Sequence, residues 1–219
     1  MAAQTGAAGT DAESEKRVPK LTERRKAAVD AAMRDGLFEA AVAVITQHGS
    51  AGLTMERLAI AARVAKGSVY NYFRSKRGLL QFVYQKAYEP INVQMHEIAA
   101  GRQTARGKLE AMARMYFEHV NQDRELFGFL LNDASVRGLL KTEQDGLRAQ
   151  VITVLSGILE QGIAAGEFKP LDAKRVAEMV LGAIRQLAEC ELAGSEPRSA
   201  EEIVGALVPV FLEGIRKTD

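Results

Sequence analysis

The sequence predicts an all-α chain in two helical units, an N-terminal three-helix unit and a larger C-terminal helical domain. Three observations carry this expectation. Apolar residues recur at three- and four-residue spacing through most of the 219 residues, no stretch alternates with the period of two that a strand needs, and charge is divided unevenly along the chain. Net charge is only +1, yet residues 16–90 hold 14 Lys/Arg against 6 Asp/Glu, whereas residues 91–219 hold 15 against 19. A basic unit on a mildly acidic body suits a polyanion bound at one end, because neutralising phosphates supplies much of the affinity for nucleic acid.

The elements follow in order. Residues 1–20, rich in Ala, Gly, Thr and acids, predict a disordered tail and lack the apolar core of a signal peptide. Residues 22–48 predict a helix ending near Gly49, with Leu37, Ala40, Ala41, Val44 and Ile45 as its inward stripe. Segment 21–35 either extends this helix or forms an extra one; its Arg24, Arg25 and Lys26 read first as a solvated helix start, with a DNA contact as the alternative.

Residues 54–76 read as two short helices and the start of a third, arranged like a helix-turn-helix reader of DNA. Thr54 can cap the first of these, and Met55, Leu58, Ala59 and Ala62 share its inward face. After a break at 63–65, Val69 and Phe73 turn inward, leaving Gly67, Ser68 and Asn71 on a small polar outer face. Tyr70 and Tyr72 flank that face with hydroxyls able to donate to phosphate, and Gly67 leaves room for close backbone approach. Ser75 can cap the next helix, whose exposed first-turn N–H groups and Lys76 favour a phosphate. Expected DNA contacts are Thr54, Lys66, Gly67, Ser68, Tyr70, Asn71, Tyr72 and Lys76. Pro90 is expected to stop this helix and divide the chain into units 21–89 and 90–219.

The run Val-Ala-Lys-Gly-Ser-Val-Tyr-Asn-Tyr-Phe-Arg-Ser-Lys at 64–76, with Gly-Leu-Thr ahead of it and Leu79-Leu80 behind, resembles the TetR family of bacterial transcriptional regulators. The motif spans residues 37–83; beyond it the similarity lies in chain length, helix count and the Gly-Glu-Phe-Lys-Pro-Leu-Asp turn at 166–172. Two positions depart from the family pattern. Arg63 stands where Gly commonly ends the first helix in a left-handed turn, and Ala65, which cannot cap a helix, replaces a common Ser, a change of about 1 kcal/mol.

Residues 104–121, 124–133, 142–165, 172–193 and 199–216 complete the helical reading. Family resemblance implies a small-molecule pocket among these helices, with Met112, Met115, Tyr116, His119, Phe127, Leu130, Val151, Leu155 and Met179 as candidate lining; ordinary core is the competing reading for each. Met adapts to varied apolar shapes and His119 adds a polar group, so the expected effector is small and largely apolar. The last two helices are apolar over most of their surface, which needs burial on several sides. Together with the resemblance, this predicts a homodimer through Val180, Ile184, Leu187, Val204, Leu207, Val208 and Phe211, with Pro209 kinking or ending the last helix.

The predicted function is a ligand-responsive DNA-binding regulator, a homodimeric repressor of a palindromic operator. The alternatives are a helical binder without specific DNA binding, or an activator on the same fold. No phosphate loop, nucleophile elbow or metal-spaced His/Cys cluster appears, and His48, His96 and His119 lie far apart, so neither an enzyme, a cofactor nor a metal is expected. Cys190 is the only cysteine and no apolar run approaches the roughly 20 residues of a membrane span, which predicts a cytoplasmic protein.

Overall fold

The computed structural model describes residues 20–194 and 196–216; the tail expected over 1–20 lies outside the described residues except for Lys20. Among the described residues there are ten α-helices and no strand, only an isolated bridge between Phe168 and Arg216. The helices are α1 (Leu21–Gly52), α2 (Met55–Ala61), α3 (Lys66–Tyr72), α4 (Lys76–Ala100) and α5 (Ala105–Gln122). They continue with α6 (Arg124–Asn132), α7 (Ala134–Leu139), α8 (Lys141–Ala164), α9 (Ala173–Ala193) and α10 (Ala200–Val208). A π-helical turn, Pro209–Glu213, follows directly.

The chain divides into two compact units, Met1–Gly36 and Leu37–Asp219. In the first, residues 21–36 are helical and continuous with the rest of α1, so segment 21–35 extends the first helix and forms no extra one. Arg34 and Asp30 pair there across one turn at 3.0 Å. Gly49, at φ 62 and ψ −164, kinks α1 at the expected end, but helical residues resume to Gly52.

In the second unit, Leu37, Ala41, Val44 and Ile45 are buried as their spacing requires. A separate cluster joins Phe117 of α5, Leu131 of α6, Ala188 of α9 and Ile203 and Val204 of α10. Two buried charges are satisfied locally. Lys108 Nζ donates to the Ala99 carbonyl at 2.8 Å and Gln161 Oε1 at 3.2 Å, and the Glu191 carboxylate accepts from Arg198 Nε at 2.8 Å. The turn after α8 is held by close approach: a Cβ on Gly162 would fall 2.3 Å from the Phe168 ring. Lys169 N–H then donates to the Ile215 carbonyl at 3.0 Å, fastening this turn to the C-terminal segment.

Two helix readings need correction. α4 runs through Pro90 to Ala100, so the expected stop is absent. Pro90 removes only the N–H bond to the carbonyl of residue 86 and lies on an exposed side of the helix, where that carbonyl can be hydrated. Helix α7 was not expected; Asp133 starts it by accepting from the N–H groups of Ser135 and Val136 at 2.9 and 3.1 Å. Pro209 does end α10, as expected.

Candidate nucleic-acid interface and sensing cavity

The interface begins with a turn made by backbone chemistry. Thr54 Oγ1 accepts from Arg57 N–H at 3.2 Å and starts α2. At its end Arg63 takes φ 55, the left-handed region. Arg63 N–H donates to Ile60 O at 3.1 Å and Val64 N–H to Ala59 O at 3.0 Å, the paired bonds of a Schellman stop in which glycine is usual. Ala65 occupies the N-cap of α3 with extended backbone and no side-chain cap.

Helix α3 then has one buried and one open side. Val69 and Phe73 are buried, and Phe73 packs on Phe82 of α4 with ring centroids 5.0 Å apart. Lys66, Gly67, Tyr70 and Asn71 are exposed, Ser68 and Tyr72 partly so, and nothing lies within 4 Å of where a Gly67 side chain would stand. Lys66 forms an exposed ion pair with Glu56 that ties α3 to α2, and its ammonium also sits 5.8 Å from the Tyr70 ring centroid. The short hydrogen bond between them lowers the Glu56 carboxyl and raises the Lys66 amine from their ordinary values. Ser75 Oγ accepts from Gly78 N–H at 3.1 Å, opening α4 with Lys76 exposed in its first turn. Thr54 is half-buried, and its hydroxyl is occupied as a cap.

Behind this unit, Glu143 in the first turn of α8 reaches α4. Its Oε1 accepts from Gln81 Nε2 and lies 3.7 Å from an Arg77 guanidinium nitrogen, while Oε2 is buried without a partner among the described residues. The Gln81 hydrogen bond, aided by Arg77, holds this carboxyl below its ordinary value. The residue after Glu143, Gln144, already lines a cavity.

That cavity, of about 230 Å³, is lined by α4, α5, α6, α8, α9, α10 and the C-terminal segment. Of the residues expected to line it, Met112, Met115, Tyr116, Val151 and Leu155 do. The other four do not. His119 faces its own helix, with Nδ1 3.0 Å from the Met115 carbonyl, and Leu130 is fully buried elsewhere in the core. Phe127 stands behind the wall, its ring edge-on to Tyr88 at 5.6 Å, and Met179 is 59% exposed.

The residues expected at a dimer contact lie on the same helices as the cavity. Val180, Ile184, Val204, Leu207, Val208 and Phe211 turn toward this cavity, and Leu187 packs on the Phe117 cluster. Helical periodicity marks these side chains as inward but does not name the neighbour; here α9 packs on α8 and α10 on α5 of the same chain. Sequence reading missed most of the polar part of the wall: Tyr84, Tyr88 and Asn92 on α4, Glu110 on α5, Gln144 and Arg148 on α8 and Arg185 on α9. The four-residue spacing of Tyr84, Tyr88 and Asn92 along one helix face was the available signal. Burial pushes the Tyr116 hydroxyl up to about 12 and raises those of Tyr84 and Tyr88 as well, while the Arg185 charge acts on all three in the opposite direction.

A basic helix-turn-helix joined by one long helix to a mostly apolar cavity defines a sensor coupled to a DNA reader. Residues 37–83 match the family of bacterial regulatory proteins of the tetR type, and residues 102–189 match the tetracyclin repressor-like C-terminal domain. The chain belongs to the TetR family. It is a ligand-responsive, DNA-binding transcriptional regulator. The fatty acid metabolism regulator protein of Bacillus subtilis strain 168 is 24% identical over 181 residues, covering 82% of this chain and 93% of that protein. The crystal structure of the transcriptional regulator FadR from Bacillus subtilis in complex with stearoyl-CoA superposes with a TM-score of 0.69 at 24% identity, over 83% of this chain and 98% of that one. A TetR transcription regulator from Haloarcula marismortui gives a TM-score of 0.74 at 18% identity, over 85% and 100%. Among the described residues no helix is long and apolar enough to cross a membrane.

Proposed function

We propose that the protein is a cytoplasmic homodimeric repressor that reads a palindromic operator with α3 and leaves it when a small, largely apolar effector fills the cavity. The observation that carries this reading is the connection through α4. One helix bears Lys76 beside the reading face at its start and Tyr84, Tyr88 and Asn92 in the cavity wall further along. Gly67, Ser68 and Asn71 supply the groove-facing surface, and Lys66, Tyr70, Tyr72 and Lys76 the phosphate contacts. The half-site of one α3 is short, so specificity comes from two copies about one helical turn, or a multiple of it, apart. Met179 and Val210, 59% and 70% exposed on or beside the last two helices, supply apolar surface for the second copy. The B. subtilis relative named for fatty acid metabolism, and the structure described with stearoyl-CoA, support an effector with an apolar chain.

Effector release follows as a population shift. A ligand that prefers the arrangement unable to span both half-sites by about 1–3 kcal/mol weakens operator binding roughly 5- to 150-fold. Selection of sequences from a random DNA pool, followed by titration of the selected duplex, tests the reading. A palindrome bound by two chains, with affinity falling steeply as salt rises, is the expected result; enrichment of no sequence counts against it.

A further inference from the structure

Half of the positive charge in the N-terminal part of the chain lies outside the helix-turn-helix. Of the 14 Lys/Arg in residues 16–90, seven fall at 16–34, ahead of the family match at 37–83. Six of them, Lys16, Arg17, Lys20, Arg24, Arg25 and Lys26, stand within eleven residues against Glu23 alone. None is among the operator contacts proposed above. The helical segment 21–36 gives Arg24, Arg25 and Lys26 no structural task either: all three are exposed, as is every residue of the segment except the half-buried Asp30 and Met33. None of the ion pairs among the described residues uses these three cations; the segment is supported instead by Glu23, which accepts from Lys20 N–H at 2.9 Å, and by the Arg34–Asp30 pair. Side chains placed only to steady a solvated helix start would be acidic, because cations there add to the positive end of the helix dipole.

Three anionic surfaces could answer this cluster. An anionic bilayer takes up a helix through a continuous apolar face, and here Arg25 stands between Leu21 and Val29 at four-residue steps along one side. The acidic domain of a second copy offers few open carboxylates, since Glu110, Glu143, Glu189, Glu191 and Glu213 are each paired within their own chain. A DNA duplex presents one charge per about 3.4 Å of each strand, and from Lys20 to Lys26 the helix rises about 9 Å, the length of two to three phosphates. We propose that the helical extension ahead of the helix-turn-helix is a second DNA-contacting element, in which Lys20, Arg24, Arg25 and Lys26 neutralise phosphates and read no bases. The inference rests on the reading of the protein as an operator-binding regulator and adds to it a part of the affinity that is independent of sequence.

Salt-dependent binding of the full-length protein to a panel of duplexes, the selected operator and its base-substituted variants, tests it. The triple variant Arg24→Gln, Arg25→Gln, Lys26→Gln is compared with Arg24→Lys, Arg25→Lys, which keeps the charge. The Gln variant should bind every duplex about tenfold or more weakly at about 0.1 M salt and lower the slope of log affinity against log salt by about 2 for each chain bound, with the ranking of the duplexes unchanged. The Lys variant should keep the slope. Should the triple variant lose helix content by circular dichroism, Arg25→Gln alone provides the measure, with an expected fall of about 1 for each chain. An unchanged slope in the Gln variant, an equal loss in the Lys variant, or a loss confined to some duplexes would overturn the proposal. So would weaker binding that accompanies a fall in mass from two chains to one, since the segment would then join copies. Selective binding with an unmoved slope sinks this inference and leaves the operator reading intact; a slope that falls as stated on duplexes the protein does not rank sinks the operator reading and leaves this inference standing.

Discussion

Arg63 and Ala65 bracket the turn of the DNA reader, and both hold backbone positions for which other residues are better suited. Arg63 adopts φ 55, where a Cβ is disfavoured by about 1–2 kcal/mol, and the Ala65 backbone is already extended like an N-cap but offers no acceptor. Ala65→Ser should therefore add about 1 kcal/mol, read as a rise in melting temperature of roughly 2–4 °C for a chain of this size. An unchanged melting curve would show that the first turn of α3 frays in the native protein. On the reading face, Lys76→Ala should weaken binding to every duplex and lower the salt slope by about 1, while Asn71→Ala should change the ranking of operator variants. Equal losses on all variants for Asn71 would move it off the base edges. Both departures at 63 and 65 were legible in the sequence because they concern local backbone chemistry, as were the caps at Thr54 and Ser75. The Lys66–Glu56 pair was not, since nothing in residue spacing says which carboxylate an exposed lysine meets across a turn.

The helices α4 and α8 share both the cavity wall and the contact of Glu143 with Gln81 and Arg77. Under the proposed function, this contact is the route by which a ligand in the cavity would act on the start of α4, beside Lys76. Glu143→Ala should shrink the ligand-induced change in operator affinity to below about fivefold while ligand binding without DNA stays intact. Full release in the variant, measured by competition on labelled operator, would exclude this route. Because the folded carboxyl titrates below its ordinary value, the contribution of this contact is fully present above the unfolded value of about 4.3 and is lost only as pH falls through the folded one. Release measured between pH 6 and 8 should not vary on its account. A second test concerns packing: Gly162→Ala must displace Phe168 and should destabilise by about 1–3 kcal/mol, seen in chemical denaturation. Helix order was readable from periodicity, but Pro90 misled because a proline on an exposed face is tolerated, and α7 was hidden because its six residues are too few to show a period.

For the whole molecule, the sequence carried the class of protein in one short basic motif, whereas the sensing half was legible only as inward-facing stripes. Val204 and Phe211 illustrate the reason: a stripe specifies an inward face without naming the neighbour, and both residues line the cavity of the same chain. The proposed dimer then falls to the surface that remains apolar outside, and exchanging Met179 and Val210 for Glu should shift the mass measured by light scattering from two chains toward one. A mass that stays at two would place the contact elsewhere. The central claim is that cavity occupancy and operator binding oppose each other. Fluorescence anisotropy of a labelled, selected palindrome, titrated with protein in the presence and absence of dodecanoyl-CoA or dodecanoate, measures this directly. The account predicts an operator affinity at least about fivefold weaker when the ligand is bound; ligand saturating the cavity with the DNA titration unmoved would contradict it.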